Sequence, residues 1–272
     1  MNGIDEANVS QAILEAYHAK FVQALRSDVI VVGAGPSGLV AAGKLAQEGL
    51  AVVLLERRLS PGGGIWGGSL GMNEAVVEAD ALPLLDGAGI RHQEAAGGLH
   101  TVKAVELASA LCLAAVRAGV ALLNLMTAED VCVHRSRLTG VVANRSWLAD
   151  GLPIDPITFS AKAVVDATGH EAVLVQCLRR RHLLTDPSPH GPVGEGVMDA
   201  TAGEQFVVEN VSEIFPGLWI TGMSVCASLG GPRMGPIFGG MLRSGARAAE
   251  QVTAALMEQH TPARKRKDHA NV

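Results

Sequence analysis

The sequence is poor in aromatic residues: 3 Trp, 1 Tyr and 5 Phe make up 3% of its 272 positions. Its core must be filled by Val, Leu, Ile, Ala and Met, because 48% of the chain is nonetheless hydrophobic. Aliphatic filling suits parallel strands covered by helices, whose strands read as apolar runs rather than alternating patterns. Cysteine is scarce as well. Cys112, Cys132, Cys177 and Cys226 form no CxxC and follow no regular spacing. That argues against a disulfide framework and fits free thiols in a reducing compartment. Excess positive charge is also missing: a net charge of −5 and a pI near 6.0 give the chain no general attraction to nucleic acid or anionic membrane. The one basic cluster, residues 264–267, belongs to a polar tail (261–272) expected to be disordered. No stretch approaches ~18 uninterrupted apolar residues, and the most apolar region, 107–126, is broken by Arg117 and Gly119. Asp5 and Glu6 precede any apolar run, so no signal peptide is read. These absences predict a cytoplasmic protein without membrane or nucleic-acid partners.

What is present is a β-α-β unit. Residues 10–25 carry Ile13, Tyr17, Phe21 and Leu25 at helical spacing. Residues 28–32 form a short β-rich run that stops at a glycine turn, 37–47 are Ala-rich and helical, and 51–55 form the next strand, ended by Glu56. A glycine-rich loop follows. Helices are expected at 74–86 and 102–118, strands at 120–126, 130–134, 138–143 and 160–166, and a helix after His170. Residues 183–203 read as a loop, 218–221 as a strand and 235–259 as a long closing helix. With no internal repeat or clean linker, the expected fold is α/β in one domain over 1–272 (core 27–260). It is a Rossmann-like FAD/NAD(P)-binding fold with an inserted β-meander.

Gly33, Gly35 and Gly38 spell GxGxxG directly after a strand and at the start of a helix. Gly33 permits the tight turn, Gly35 lets backbone approach a pyrophosphate, and Gly38 allows close packing of helix on strand. The helix N-terminus offers free N–H groups to the phosphates. Glu56 stands 18 residues after the last glycine at the end of the second strand. A carboxylate there accepts from both ribose hydroxyls and repels a 2′-phosphate. Ala167-Thr168-Gly169 is a small-residue turn of the kind that allows close approach to FAD or NAD without choosing between them.

Three further segments carry a resemblance. They are SPGGGIWGGS at 60–69, Asp155-Pro156 followed by DATGHEA at 166–172, and Gly222-Met223 leading to GGPRMGPIFGGM at 230–241. Together they resemble the thiamine thiazole synthase family, especially its archaeal, sulfide-dependent branch, over residues 10–258. The resemblance implies a GR2-like Rossmann fold in which NAD is a substrate. A transferase of thiamine biosynthesis would release nicotinamide and join the ADP-ribose carbons to glycine and sulfur, giving an adenylated thiazole carboxylate. It further implies that Asp155 and His170 bind Fe(II), with Asp155 from a neighbouring protomer of a homo-octamer. A carboxylate oxygen and an imidazole nitrogen form a sensible partial shell with open positions. Unaided, a lone His170 reads more readily as a hydrogen-bonded surface or capping residue. By the same resemblance Arg233 grips the glycine carboxylate, a task suited to a planar guanidinium; without it, Arg233 reads equally as a surface arginine. Ser37, Arg57, Gly64, Val131, Pro153, Ile154, Asp155 and Met223 would join the glycines and Glu56 around NAD.

One position departs from the pattern. Two residues before Asp155, fungal and plant members carry the cysteine that surrenders its own sulfur and archaeal members a histidine, whereas this chain has Pro153. Proline supplies neither sulfur nor a proton, which points to exogenous sulfide, although Pro153 also reads simply as a rigid turn. Two other readings share the GxGxxG turn: an FAD-dependent oxidoreductase, against which stands the lack of a second glycine fingerprint and of a CxxC, and a catalytically weakened dinucleotide-binding protein.

Overall fold

The computed structural model describes residues 3–68, 70–147, 154–184 and 194–260. Pro153, the basic tail and residues 185–193 of the expected loop lie outside them. Helix α1 (Glu6–Ala24) starts where the Asp5 carboxylate accepts from the Ala7 N–H at 2.8 Å. Strand β1 (Arg26–Val32), helix α2 (Pro36–Gln47) and strand β2 (Val52–Glu56) then form the first βαβ unit. β1 and β2 pair in parallel, from Val29 opposite Val52 to Val32 opposite Leu55. Both strands are aliphatic because both faces are covered. Val29 and Val31 pack on one side of the sheet with Leu39 and Leu45, while Ile30 and Val32 pack on the other with Phe159 and Leu174.

The segment expected as one helix over 74–86 is instead strand β3 (Glu74–Glu78), a 3-10 turn and the short helix α3 (Leu82–Gly87). The alternation decides it: Ala75 and Val77 are fully buried, whereas Glu74, Val76 and Glu78 are not, a period of two. Strand β4 (His92–Glu94) and strand β5 (Leu99–Lys103) complete a separate antiparallel sheet in the order β3-β5-β4. The helix expected from 102 therefore begins two residues later, as α4 (Ala104–Arg117).

The main sheet continues with β6 (Ala121–Asn124), β7 (Met126–His134), β8 (Arg137–Arg145) and β9 (Ile157–Asp166). β7 and β8 pair antiparallel, and β9 pairs antiparallel with β8 over residues 157–160 and in parallel with β1 over 160–166. Helix α5 (Val173–Arg180) and helix α6 (Ala200–Glu209) follow, the latter starting at the end of the stretch read as a loop and capped by Asp199, whose carboxylate accepts from the Ala202 N–H at 3.0 Å. Strands β10 (Ser212–Phe215) and β11 (Leu218–Ile220), helix α7 (Met223–Leu229) and helix α8 (Gly239–His260) close the chain. The closing helix starts at Gly239 rather than at 235, after Pro236.

The strand order is β10-β11-β9-β1-β2-β6, so the chain leaves β1 to one side for β2 and returns on its other side with β9. This is the α/β Rossmann-like architecture. Its switch of direction beside β1 opens a crevice past the carboxyl ends of the strands, where α/β folds bind ligands.

Candidate functional site

A cleft of about 660 Å³ occupies that crevice, within the size range of small-molecule sites. Gly33 ends β1 at φ +99°, and a Cβ there would sit 2.3 Å from the Ala167 carbonyl oxygen that follows β9. A Cβ on Gly38 would lie 1.9 Å from the Gly33 carbonyl oxygen, so α2 rests directly on the turn. Gly38 therefore packs the motif and stays out of the cleft wall. Gly35 is different: nothing lies within 4 Å of where its Cβ would be, and the backbone is bare toward the cleft it lines. α2 begins with Pro36 and has no side-chain cap, so its first-turn N–H groups remain for an anion. The second glycine segment lies over the first, with the Gly62 N–H donating to the Ala34 carbonyl at 2.7 Å and Gly64 lining the cleft.

Glu56 reaches this turn from the end of β2. It is 5% exposed, and its carboxylate accepts from the Ala34 N–H at 2.9 Å and the Arg58 N–H at 2.8 Å, one on each oxygen. A carboxylate has about four lone-pair positions, so two remain. Arg57 next to it is not free: its guanidinium makes a two-pronged bond to the Glu171 carboxylate at 2.6 and 2.8 Å. That bond raises the Arg57 pKa and lowers that of Glu171. Both side chains are about half exposed, so the pair shapes the cleft wall more than it stabilises the fold.

Beside it a turn carries His170 (Gly169–Glu171, 3-10) into the same cleft. Asp166, fully buried at the end of β9, holds that turn. Its Oδ1 accepts from the Thr168 N–H at 3.0 Å, the Thr168 hydroxyl at 2.6 Å and the Ser224 hydroxyl at 3.1 Å, and its Oδ2 from the Leu174 and Val175 N–H groups at 2.9 and 3.2 Å. His170 Nδ1 is hydrogen-bonded to Glu195 Oε1, and Glu195 Oε2 lies 3.4 Å from Arg233 Nε. His170 and Arg233 both line the cleft, as do Ser37 and Met223.

The structure brings most of the expected residues together but not all. Asp155 and Ile154 are exposed before the start of β9, while His170 follows its end. Ten strand residues at about 3.3 Å each put roughly 30 Å between them. Asp155 and His170 of one chain therefore cannot share a ligand. Among the described residues there is also no group of three or more His, Cys, Asp or Glu placed to hold a metal ion. Val131 is not in the cleft wall; from β7 it is Met126, Thr127 and Ala128 that reach it. Sequence reasoning missed Glu195, an isolated acid in a Pro/Gly-rich stretch. It also missed the Asp166–Ser224 support, whose only sequence signal is an acid at a strand end two residues before Thr168. A methionine wall went unread too: Met126, Met198, Met223, Met234 and Met241, five of the chain's 8, line the cleft.

Comparison with known proteins fits this geometry. A profile of the Thi4 family matches residues 10–238. A thiamine thiazole synthase of Pyrococcus abyssi is 45% identical over 254 residues, covering 92% of this chain and 98% of that protein. A thiamine thiazole synthase of Thermotoga maritima is 45% identical over 251 residues, covering 91% and 97%. The crystal structure of Thermovibrio ammonificans THI4 is similar with a TM-score of 0.90 at 40% identity, covering 94% of this chain and 100% of that one.

Proposed function

The chain belongs to the Thi4 family, and on that premise we propose that it is a thiamine thiazole synthase, a transferase that converts NAD, glycine and sulfide to an adenylated thiazole carboxylate with release of nicotinamide. The observation that carries the reading is the joining of two chemistries in one cleft. A glycine-bared turn and Glu56 line it together with His170 and Arg233, which Glu195 joins.

The adenosine half of NAD takes the Gly33–Gly38 turn. Pyrophosphate lies against the bare backbone at Gly35 and the first-turn N–H groups of α2, and the ribose hydroxyls donate to the two lone pairs that Glu56 has left. A 2′-phosphate in that position would meet the Glu56 carboxylate, so NAD is preferred to NADP. Arg233 offers its guanidinium to the glycine carboxylate. The methionine wall is deformable, which suits a ligand whose shape changes from dinucleotide to thiazole.

The donor set suits a ferrous ion only in part within one chain: an imidazole aimed into the cleft, with its carboxylate partner about 30 Å away. We therefore take His170 from one protomer and Asp155 from another as the holders of Fe(II), in an assembly of at least two and, by family resemblance, eight copies. Bound there, the metal would supply Lewis acidity and a template for sulfide.

Sulfur comes from outside the chain. Burial pushes the thiols of Cys112 and Cys226 up to about 11 and raises those of Cys132 and Cys177, so none is a ready thiolate, and none lines the cleft. A flavin-dependent oxidoreductase would use the same turn, but the family matched is Thi4. Chromatography of an anaerobic reaction holding NAD, glycine and Fe(II) tests the proposal: free nicotinamide is expected in multiple equivalents once sulfide is added. Intact NAD after prolonged incubation would refute it.

A further inference from the structure

Glu195 is given no chemical role in the scheme above, yet its carboxylate meets both His170 and Arg233. Its position is fixed by backbone, not by chance contact. The Gly196 N–H donates to the Gly231 carbonyl at 2.8 Å, the Arg233 N–H to the Val197 carbonyl at 3.2 Å, and the Asp199 N–H to the Arg233 carbonyl at 3.0 Å. Residues 196–199 are thereby zipped in parallel onto the loop that carries Arg233, with Met198 bridged to Arg233. The burial is uneven in an informative way: the Glu195 side chain is 13% exposed, whereas His170 and Arg233 are 61% and 56% exposed. A sheltered carboxylate thus holds two side chains that face solvent and cleft. The other acid beside His170 is unavailable for this, because Glu171 is occupied by Arg57.

We propose that Glu195 is a positioning residue that keeps the proton of the neutral His170 ring on Nδ1, so that Nε2 presents its lone pair to the cleft. The same carboxylate steadies Arg233 through Nε, leaving its Nη groups for a substrate carboxylate. The inference rests on the roles of His170 and Arg233 proposed above, and extends them: one side chain sets both. A carboxylate behind a ligand imidazole orients the ring and increases its basicity, and loss of such a partner lowers metal affinity about 10–100-fold. A neutral histidine without that partner has no reason to hold the Nδ1 tautomer.

The test uses the full-length protein without metal, 15N-labelled, at alkaline pH where imidazoles are neutral. Long-range 1H–15N correlation reports which ring nitrogen carries the proton, and the His170 signals are assigned by their loss in His170→Gln. Wild type is expected to show the proton on Nδ1, Glu195→Ala to shift it to Nε2, and Glu195→Gln, whose amide oxygen still accepts, to restore Nδ1. Anaerobic Co(II) titration should weaken about 10–100-fold in Glu195→Ala and much less in Glu195→Gln, while NAD binding stays as in wild type. A wild-type ring protonated on Nε2, or a Glu195→Ala protein with wild-type tautomer, would overturn the inference. If wild type shows the Glu195-dependent tautomer but takes up no Co(II), the positioning role stands and the metal assignment of His170 falls.

Discussion

Glu204 makes the stability of this protein depend on pH in a direction opposite to ordinary carboxylates. It is 2% exposed on α6, its Oε2 accepts from the Gly240 N–H in the first turn of α8, and its Oε1 is buried without a hydrogen-bond partner. Burial is the largest influence, opposed by the Gly240 N–H; the charges of Glu78 and Asp80 add to it and Arg243 offsets part of it. Together they lift the carboxyl from 4.5 to about 7. The folded state then holds this proton more tightly than the unfolded chain does. The stability it contributes is complete below pH 4.5 and is lost as pH rises to about 7. At 1.36 kcal/mol per tenfold change in proton affinity, the loss is about 3 kcal/mol. Glu204→Gln has the same shape and no charge to bury. In urea unfolding followed by circular dichroism at pH 5, 6, 7 and 8, at fixed protein concentration, its stability relative to wild type should rise by about 2.5 kcal/mol across the series. Contributions of the other carboxylates cancel in that difference. A gap between the two proteins that stays constant with pH would refute the reasoning.

The remaining predictions concern the cleft. Glu56→Ala should weaken NAD binding by about 1–3 kcal/mol, the worth of hydrogen bonds to a charged group, and narrow the wild-type preference for NAD over NADP; calorimetry with both dinucleotides measures it. Asp155→Ala and His170→Ala should each abolish thiazole formation, and His170→Ala should do so without changing NAD affinity. Dissociating and reassembling the two together should recover a fraction of wild-type activity, because some sites then draw both ligands from intact copies; activity that stays at zero in mixed assemblies would contradict a shared site. The intact mass of the protein should be unchanged after many turnovers, since no cysteine gives up sulfur. A loss matching conversion of any one of the four cysteines to dehydroalanine would reverse that conclusion.

The sequence made the first βαβ unit legible because it obeys local rules: an aliphatic run, a GxGxxG turn, an Ala-rich helix and an acid at the next strand end all occur within a few turns of one another. The second sheet was hidden by its composition. EAVVE at 74–78 has helix-compatible residues at both ends, and its period of two became decisive only when Ala75 and Val77 were seen fully buried. The small strand β4 depends on β5 for its pairing and has little pattern of its own. In the cleft, residues lying in contiguous motifs were found: Gly33, Gly35, Ser37, Glu56, Gly64, His170 and Arg233 all fall there or on its turn. What escaped was anything created by distant chain segments meeting, as with Glu195 against His170 and Arg233, or Glu171 against Arg57. Val131 lies further along β7 than the residues that line the cleft. A strand offers several similar positions in a row, and the cleft meets β7 at its first residues, Met126 to Ala128.

The central claim is that this chain builds a thiazole from NAD, glycine and external sulfide. It is tested most directly by anaerobic incubation of the purified protein with NAD, Fe(II), 13C-labelled glycine and sulfide, followed by mass spectrometry of the small molecules. The account predicts an adenylated thiazole carboxylate that carries the glycine label, appears in excess over protein and is absent when sulfide is left out. A product that never exceeds one equivalent or forms without added sulfide, or a complete reaction mixture that yields no thiazole, would contradict it.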